Sequence, residues 1–173
     1  MMIAVTLVGV LLGMGIPAVR VWLLNAQIKS AADALHNGLQ LARVEAVRRN
    51  TNVRFSLSGN SGWTVGCETP RGDSDSDGLL DCPGAIQSRP SGETARVTLT
   101  ITPADALMVT FGPLGRVIAN DDNSPAITRL DVTVSDDDLE PEQRRDLRVL
   151  VAGGSVRLCN PNIKIAGDPR GCP

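Results

Sequence analysis

Apolar residues fill the start of the chain almost without interruption: Met2 to Ile16 carries no charge, and Thr6 is its most polar side chain. Pro17 and Arg20 interrupt the run, which resumes as Val21-Trp22-Leu23-Leu24. A spanning helix takes about 20 apolar residues. Residues 2–24 supply that length when Arg20 snorkels to an interface, and Trp22 beside it suits a membrane–water boundary. A cleaved signal peptide would open on a positive region, whereas no cation precedes Arg20 here. A buried core helix is the other reading open to so short a run. Beyond residue 25 the period becomes helical and one-sided. Ile28, Ala31, Ala32, Leu35, Leu39, Ala42 and Ala46 recur at steps of three and four, with Lys29, Asp33, Asn37, Gln40 and Arg43 on the other face. The pattern predicts one helix, apolar and then amphipathic, kinked at Pro17 and ending near Arg48-Arg49-Asn50. Cations there complement the helix dipole, and Asn tolerates a left-handed cap.

From Thr51 the period changes to two. Val53, Phe55 and Leu57 alternate with Asn52, Arg54 and Ser56; Gly59-Asn60-Ser61-Gly62 is turn chemistry; Trp63-Thr64-Val65 resumes a strand. Further strands are expected at 96–101, 107–111, 116–119, 127–134, 147–152 and 156–159, the last two joined by a turn at Gly153-Gly154. The fold class is therefore α+β: a long N-terminal helix packed on an antiparallel β-rich head. Residues 1–24 form the apolar helix, 25–50 its amphipathic continuation, and 51–173 the head.

Charge sharpens this division. Residues 1–50 carry a formal +3 and residues 51–173 a formal −5. An acidic head does not bind nucleic acid by bulk charge, because phosphate neutralisation needs clustered cations. One local exception stands out. The last 30 residues hold Arg144, Arg145, Arg148, Arg157, Lys164 and Arg170 against only Asp146 and Asp168.

The chain has no Tyr, two Phe and two Trp, so the head must pack mainly aliphatic side chains and gains much from covalent staples. Its four cysteines fall into two local pairs, Cys67 with Cys82 and Cys159 with Cys172. An even count in loops points to disulfides and an oxidising compartment. Structural zinc is the rival, but neither pair has knuckle spacing and the one histidine, His36, is distant in sequence.

Asp73-Ser74-Asp75-Ser76-Asp77-Gly78-Leu79-Leu80-Asp81 matches the first part of a calcium loop, with Asp73, Asp75, Asp77 and Asp81 as ligands of Ca²⁺. Gly84 stands where the bidentate acid belongs, and a solvated acidic loop is the alternative. Asp136-Asp137-Asp138, continued by Glu140 and Glu142, reads as a solvated loop that Pro141 helps to break. No cofactor is required by any pattern, and no nucleophile elbow or phosphate loop occurs. His36 has no Ser or Cys partner in sequence, so an enzyme is not expected.

The residues resemble the FimT/GspH family of type IV minor pilins and type II secretion pseudopilins over nearly the whole chain. Met2 to Leu12 looks like the pilin membrane helix, and Ile16-Pro17 falls where pilin helices kink. Leu39 to Asn50 looks like the family's helix-ending segment and is the most specific match. Trp63 to Cys67 resembles the following strand, and Cys159 to Cys172 with Asp168-Pro169-Arg170 is similar to the FimT-type ending. The resemblance implies a minor pilin of a type IV pilus, in assembly, priming or at the tip; the alternative is a GspH-like pseudopilin of a type II secretion system. It implies other pilins or pseudopilins as partners through the helix, a single pass in the bacterial inner membrane and a periplasmic head, then a pilus or pseudopilus after assembly. The family's leader, Gly cleavage site and Phe-Thr-Leu-Ile-Glu precede the point where this sequence opens, which reads as a late start or a trimmed product. In FimT-type pilins a C-terminal Gly-Arg-x-Arg motif is associated with DNA binding. Gly154-Ser155-Val156-Arg157 matches it with the first Arg replaced. The resemblance thus implies weak DNA contact at a C-terminal tip through Arg157, and the local excess of cations adds Arg148, Lys164 and Arg170 as candidates.

Overall fold

The computed structural model describes residues 2–72, 81–165 and 167–173, with side chains from residue 19 onward. Helix α1 runs from Met2 to Arg49 and is not divided at Pro17. At a rise of 1.5 Å per residue it is roughly 70 Å long. Its end follows the local chemistry of the sequence. Asn50 takes φ +48°; its N–H donates to the Val47 carbonyl at 3.3 Å, and the Thr51 N–H donates to the Ala46 carbonyl at 3.2 Å. These two bonds satisfy carbonyls the last turn leaves open, which is the Schellman arrangement.

Nine strands follow: β1 (Val53–Ser58), β2 (Gly62–Cys67), β3 (Gln87–Arg89), β4 (Val97–Thr102), β5 (Met108–Phe111), β6 (Val117–Ile118), β7 (Arg129–Val134), β8 (Leu147–Ala152) and β9 (Ser155–Cys159). They form two antiparallel sheets, ordered β3-β2-β1-β5-β6 and β4-β7-β8-β9. Along β7, Leu130, Val132 and Val134 are buried while Arg129, Asp131 and Thr133 turn to the half-exposed face. This is the alternation of a sheet covered on one side.

The covering element is the C-terminal half of α1. Ile28, Ala31, Ala32, Leu35, Leu39, Ala42 and Ala46 are all buried, as the periodicity requires, and Leu24 joins them. They meet Val53, Phe55, Trp63 and Val65 of the first sheet and Leu130, Val132, Val149 and Val156 of the second. The helix comes especially near the sheet at Gly38. A Cβ there would stand 2.9 Å from both Phe55 Cε2 and Trp63 Cε2, two rings whose centroids are 5.9 Å apart. Glycine lets the helix backbone lie directly on this pair.

Strand β3 and the short 3₁₀ turn at Ser91–Thr94 have no counterpart in the sequence expectations. Gln87-Ser88-Arg89 shows no apolar alternation because it is an edge strand, paired only with β2. The expected strand at 116–119 contracts to Val117–Ile118, whose ladder to β5 holds two residue pairs.

Candidate functional site

The helix leaves the head at residues 19–23. Val19, Trp22 and Leu23 are 62%, 70% and 50% exposed, whereas Leu24 one position on is 3% exposed. This end of the head, here called the base, is tied to α1 by polar contacts. Asn25 Nδ2 donates to the Gln143 carbonyl at 3.0 Å, and the Arg145 N–H donates to Asn25 Oδ1 at 2.8 Å. Asp138 accepts from Arg96 at 2.7 Å and from Arg20 at 3.5 Å. Asn25 and Gln143 lie 118 positions apart in sequence, so no local signal announces this clasp.

The other end of the head surrounds the C-terminus of α1. Glu45 is 8% exposed and its Oε2 accepts from Arg48 Nη2 at 2.7 Å and Arg49 Nε at 2.7 Å. Burial pushes the Glu45 carboxyl up, but the hydrogen bonds and charges of Arg48 and Arg49 outweigh it and hold it below its usual range. Arg49 also donates to the Asp81 carbonyl, joining the helix end to the loop that the Cys67–Cys82 disulfide closes. The Cα atoms of that disulfide are 5.7 Å apart, and those of Cys159–Cys172 are 5.1 Å apart. All four cysteines are thereby used, in the pairs the spacing suggests. Asp73, Asp75 and Asp77 lie outside the described residues. Asp81 sits at the loop's closing end, where its N–H donates to the Gly72 carbonyl at 3.3 Å. Among the described residues no group of three or more ligating side chains gathers as for a metal.

The four cations assigned to DNA differ in their partners, and the register of β8 with β9 sets Arg157 diagonally across from Arg148. Arg148 lies on the outward face of β8, bonded to Asp131, which also meets Arg129 at 3.0 Å. Arg170 donates to Asp168 at 2.9 and 3.1 Å. The hydrogen bond from Arg170 is the main cause that holds the Asp168 carboxyl down at about 2, so the pair stays ionised at neutral pH. Arg157 on β9 and Lys164 beyond it have no described carboxylate within ion-pair distance and are exposed. Ser155 stands at the turn, its Oγ donating to the Ala152 carbonyl at 3.1 Å.

Nor does the C-terminus form a distal tip. Gln40 reaches the carbonyl of Val156, near the start of β9, whereas Leu158 and Asn160 line a groove with Asn25 and Lys29. Strand β9 therefore runs antiparallel to α1 and delivers the Cys159–Cys172 loop to the base.

The family model for GspH, described as type II transport protein GspH, matches residues 31–164. The chain belongs to the GspH family. Among solved structures it is similar to the type IV minor pilin FimU of Pseudomonas aeruginosa strain PAO1 in its P21 crystal form, with a TM-score of 0.51 at 18% identity, covering 77% of this chain and 88% of that one. The P65 form of FimU gives 0.47 at 18% identity, with 75% and 90% covered. At this identity the likeness concerns the fold: one long N-terminal helix on antiparallel sheets. No curated protein matches the chain.

GspH-family proteins are pilin-like structural subunits that assemble with other pilins or pseudopilins and are anchored through the N-terminal helix. The matched range begins on the buried face of α1 and takes in both sheets. Among the described residues no helix is long and apolar enough to cross a membrane; the apolar run from Met2 to Ile16 belongs to the part whose side chains are not described. The features missed from sequence are the Asn25 clasp and the Gly38 contact. Gly38, a glycine inside a strongly periodic helix, carried the signal for the second.

Proposed function

We propose that this GspH-family chain is a minor pilin of a type IV pilus, acting in assembly, priming or at the tip. Before assembly its N-terminal helix crosses the bacterial inner membrane once and the head lies in the periplasm; afterwards the helix joins the filament. The observation that carries this reading is the continuous helix whose buried stripe begins at Leu24, while Val19, Trp22 and Leu23 just before it are exposed. Val19, Trp22 and Leu23 project as it leaves the head. Complete burial of such side chains is worth about 1.5–3 kcal/mol each, which lipid or neighbouring helices would supply.

The test is recovery of the chain in sheared filaments. Wild type is expected in that fraction, and Trp22→Glu with Leu23→Glu is expected to be lost from it while the head's Tm is unchanged. Wild type absent from filaments overturns the reading. The description of the matching family favours a second reading, a pseudopilin of type II secretion. A deletion that abolishes protein secretion and leaves pili intact selects it. On either reading, weak DNA contact falls to Arg157 and Lys164, and Ca²⁺ binding to the loop of Asp73, Asp75, Asp77 and Asp81.

A further inference from the structure

A groove of about 380 Å³ runs along the base between α1 and the β8–β9 edge. Its apolar walls are Trp22, Leu147 and Leu158; the charged residues that line it are Lys29, Arg145 and Asp33, two cations to one acid. Both cations are exposed, and neither has a described carboxylate within ion-pair distance. The same base carries the opposite charge elsewhere. In the connection from β7 to β8, Asp136 is bonded to Arg144, and Asp138 to Arg20 and Arg96. Leu139, 5% exposed, anchors the segment in the core. Glu140-Pro141-Glu142 is left pointing outward, exposed and without a cation in reach among the described residues.

We propose that the groove at Lys29 and Arg145 receives the Glu140–Glu142 segment of a second copy of this chain. Both halves of the complementarity belong to one chain, yet one copy cannot satisfy itself. Its acidic segment is held to α1 on both sides, by Arg20 to Asp138 at 3.5 Å and by Asn25 to the Gln143 carbonyl at 3.0 Å, which leaves no slack to fold back. An anionic membrane fits less well, because the acidic segment lies at the same level of the helix and is repelled by it. Groove and segment are different surfaces, so the contact is heterologous and propagates as an open array unless a rotation closes it. This deepens the filament reading by naming a contact between subunits. Charge pairs of this kind set register and partner choice more than raw affinity.

The test uses the full chain in non-ionic detergent at low salt, followed by sedimentation velocity. Wild type is expected to self-associate and to dissociate as salt rises. Lys29→Glu with Arg145→Glu, and separately Glu140→Lys with Glu142→Lys, are each expected to weaken association by about tenfold or more. An equimolar mixture of the two variants is expected to recover it, since the reversed groove then meets the reversed segment. Three results overturn the proposal: wild type remains monomeric; either variant associates as wild type does; or the mixture is no better than its components. Wild type that stays monomeric but binds anionic vesicles through Lys29 and Arg145 assigns the groove to lipid instead. Variants that fail to behave as described yet enter sheared filaments leave the pilin reading standing; absence of wild type from filaments removes that reading by itself.

Discussion

Replacing Gly38 by alanine sets two known effects against each other. In a helix interior alanine is better than glycine by about 1 kcal/mol, so at an open position Gly→Ala stabilises. At Gly38 the added methyl would meet Phe55 Cε2 and Trp63 Cε2 at 2.9 Å and Trp63 Cδ2 at 3.0 Å. Real Cβ contacts are not this short, so rings or helix must move. Phe55 is fully buried and Trp63 is 4% exposed, so moving either ring, or the helix, disturbs packed neighbours. Overpacking of this kind costs about 1–3 kcal/mol, which outweighs the propensity gain. The net expectation is a loss of about 1–2 kcal/mol. For a chain of this size that lowers Tm by roughly 2–8 °C. Thermal unfolding of the full chain in detergent, followed by near-UV circular dichroism, reads both the Tm and the ring environment. Gly92→Ala is the control, since nothing lies within 4 Å of a Cβ built there; its Tm is expected to stay level or rise slightly. A Gly38→Ala variant at least as stable as wild type refutes the contact between α1 and the β1–β2 hairpin, and with it the seating of the helix on the first sheet.

Two further outcomes follow from the geometry and a third from the sequence. The folded Glu45 carboxyl lies below its unfolded value, so its stabilisation is complete above the unfolded pKa and is lost as pH falls through the folded one. Glu45→Gln is therefore expected to destabilise by about 1–3 kcal/mol at neutral pH and to flatten the acid limb of a Tm–pH profile, and an unchanged limb counts against the Arg48–Glu45–Arg49 network. DNA binding through Arg157 and Lys164, which have no ion-pair partner among the described residues, should be weak, with log K falling against log salt at a slope of about 2. In a gel-shift series Arg157→Ala is expected to weaken binding and Ser155→Arg to strengthen it; equal binding by wild type and Arg157→Ala, or none by any variant at low salt, removes the DNA role. Millimolar Ca²⁺ is expected to raise the Tm and to give heat in calorimetry that Asp75→Ala with Asp77→Ala abolishes; no heat and no shift leaves a solvated acidic loop.

Much of this protein's fold is legible in its sequence. The buried stripe from Ile28 to Ala46 follows from helical periodicity, because one face of a regular helix must meet one partner surface. The cap at Asn50 follows from local chemistry, since few other residues tolerate a positive φ. Both disulfides join cysteines close in sequence, and most strand positions follow from alternation. Local rules suffice for these because their partners lie within a few residues or on one repeating face.

What required the tertiary structure depends on contacts between distant segments. The strands divide into two sheets rather than one, a matter of which edge each strand meets after a loop of arbitrary path. β3 escaped notice because an edge strand buries too little to need an apolar pattern. The cations near the C-terminus look like one cluster in sequence. In the fold, Asp131, 17 positions from Arg148, bonds that cation, and Asp168 bonds Arg170. The antiparallel course of β9 carries Lys164 to the base, away from Ser155. Charge counted along a chain ignores such pairing, because Coulomb attraction depends on separation in space and not in sequence. For the same reason only the folded chain could set the cationic groove at Lys29 and Arg145 and the acidic segment at Glu140 side by side on one base.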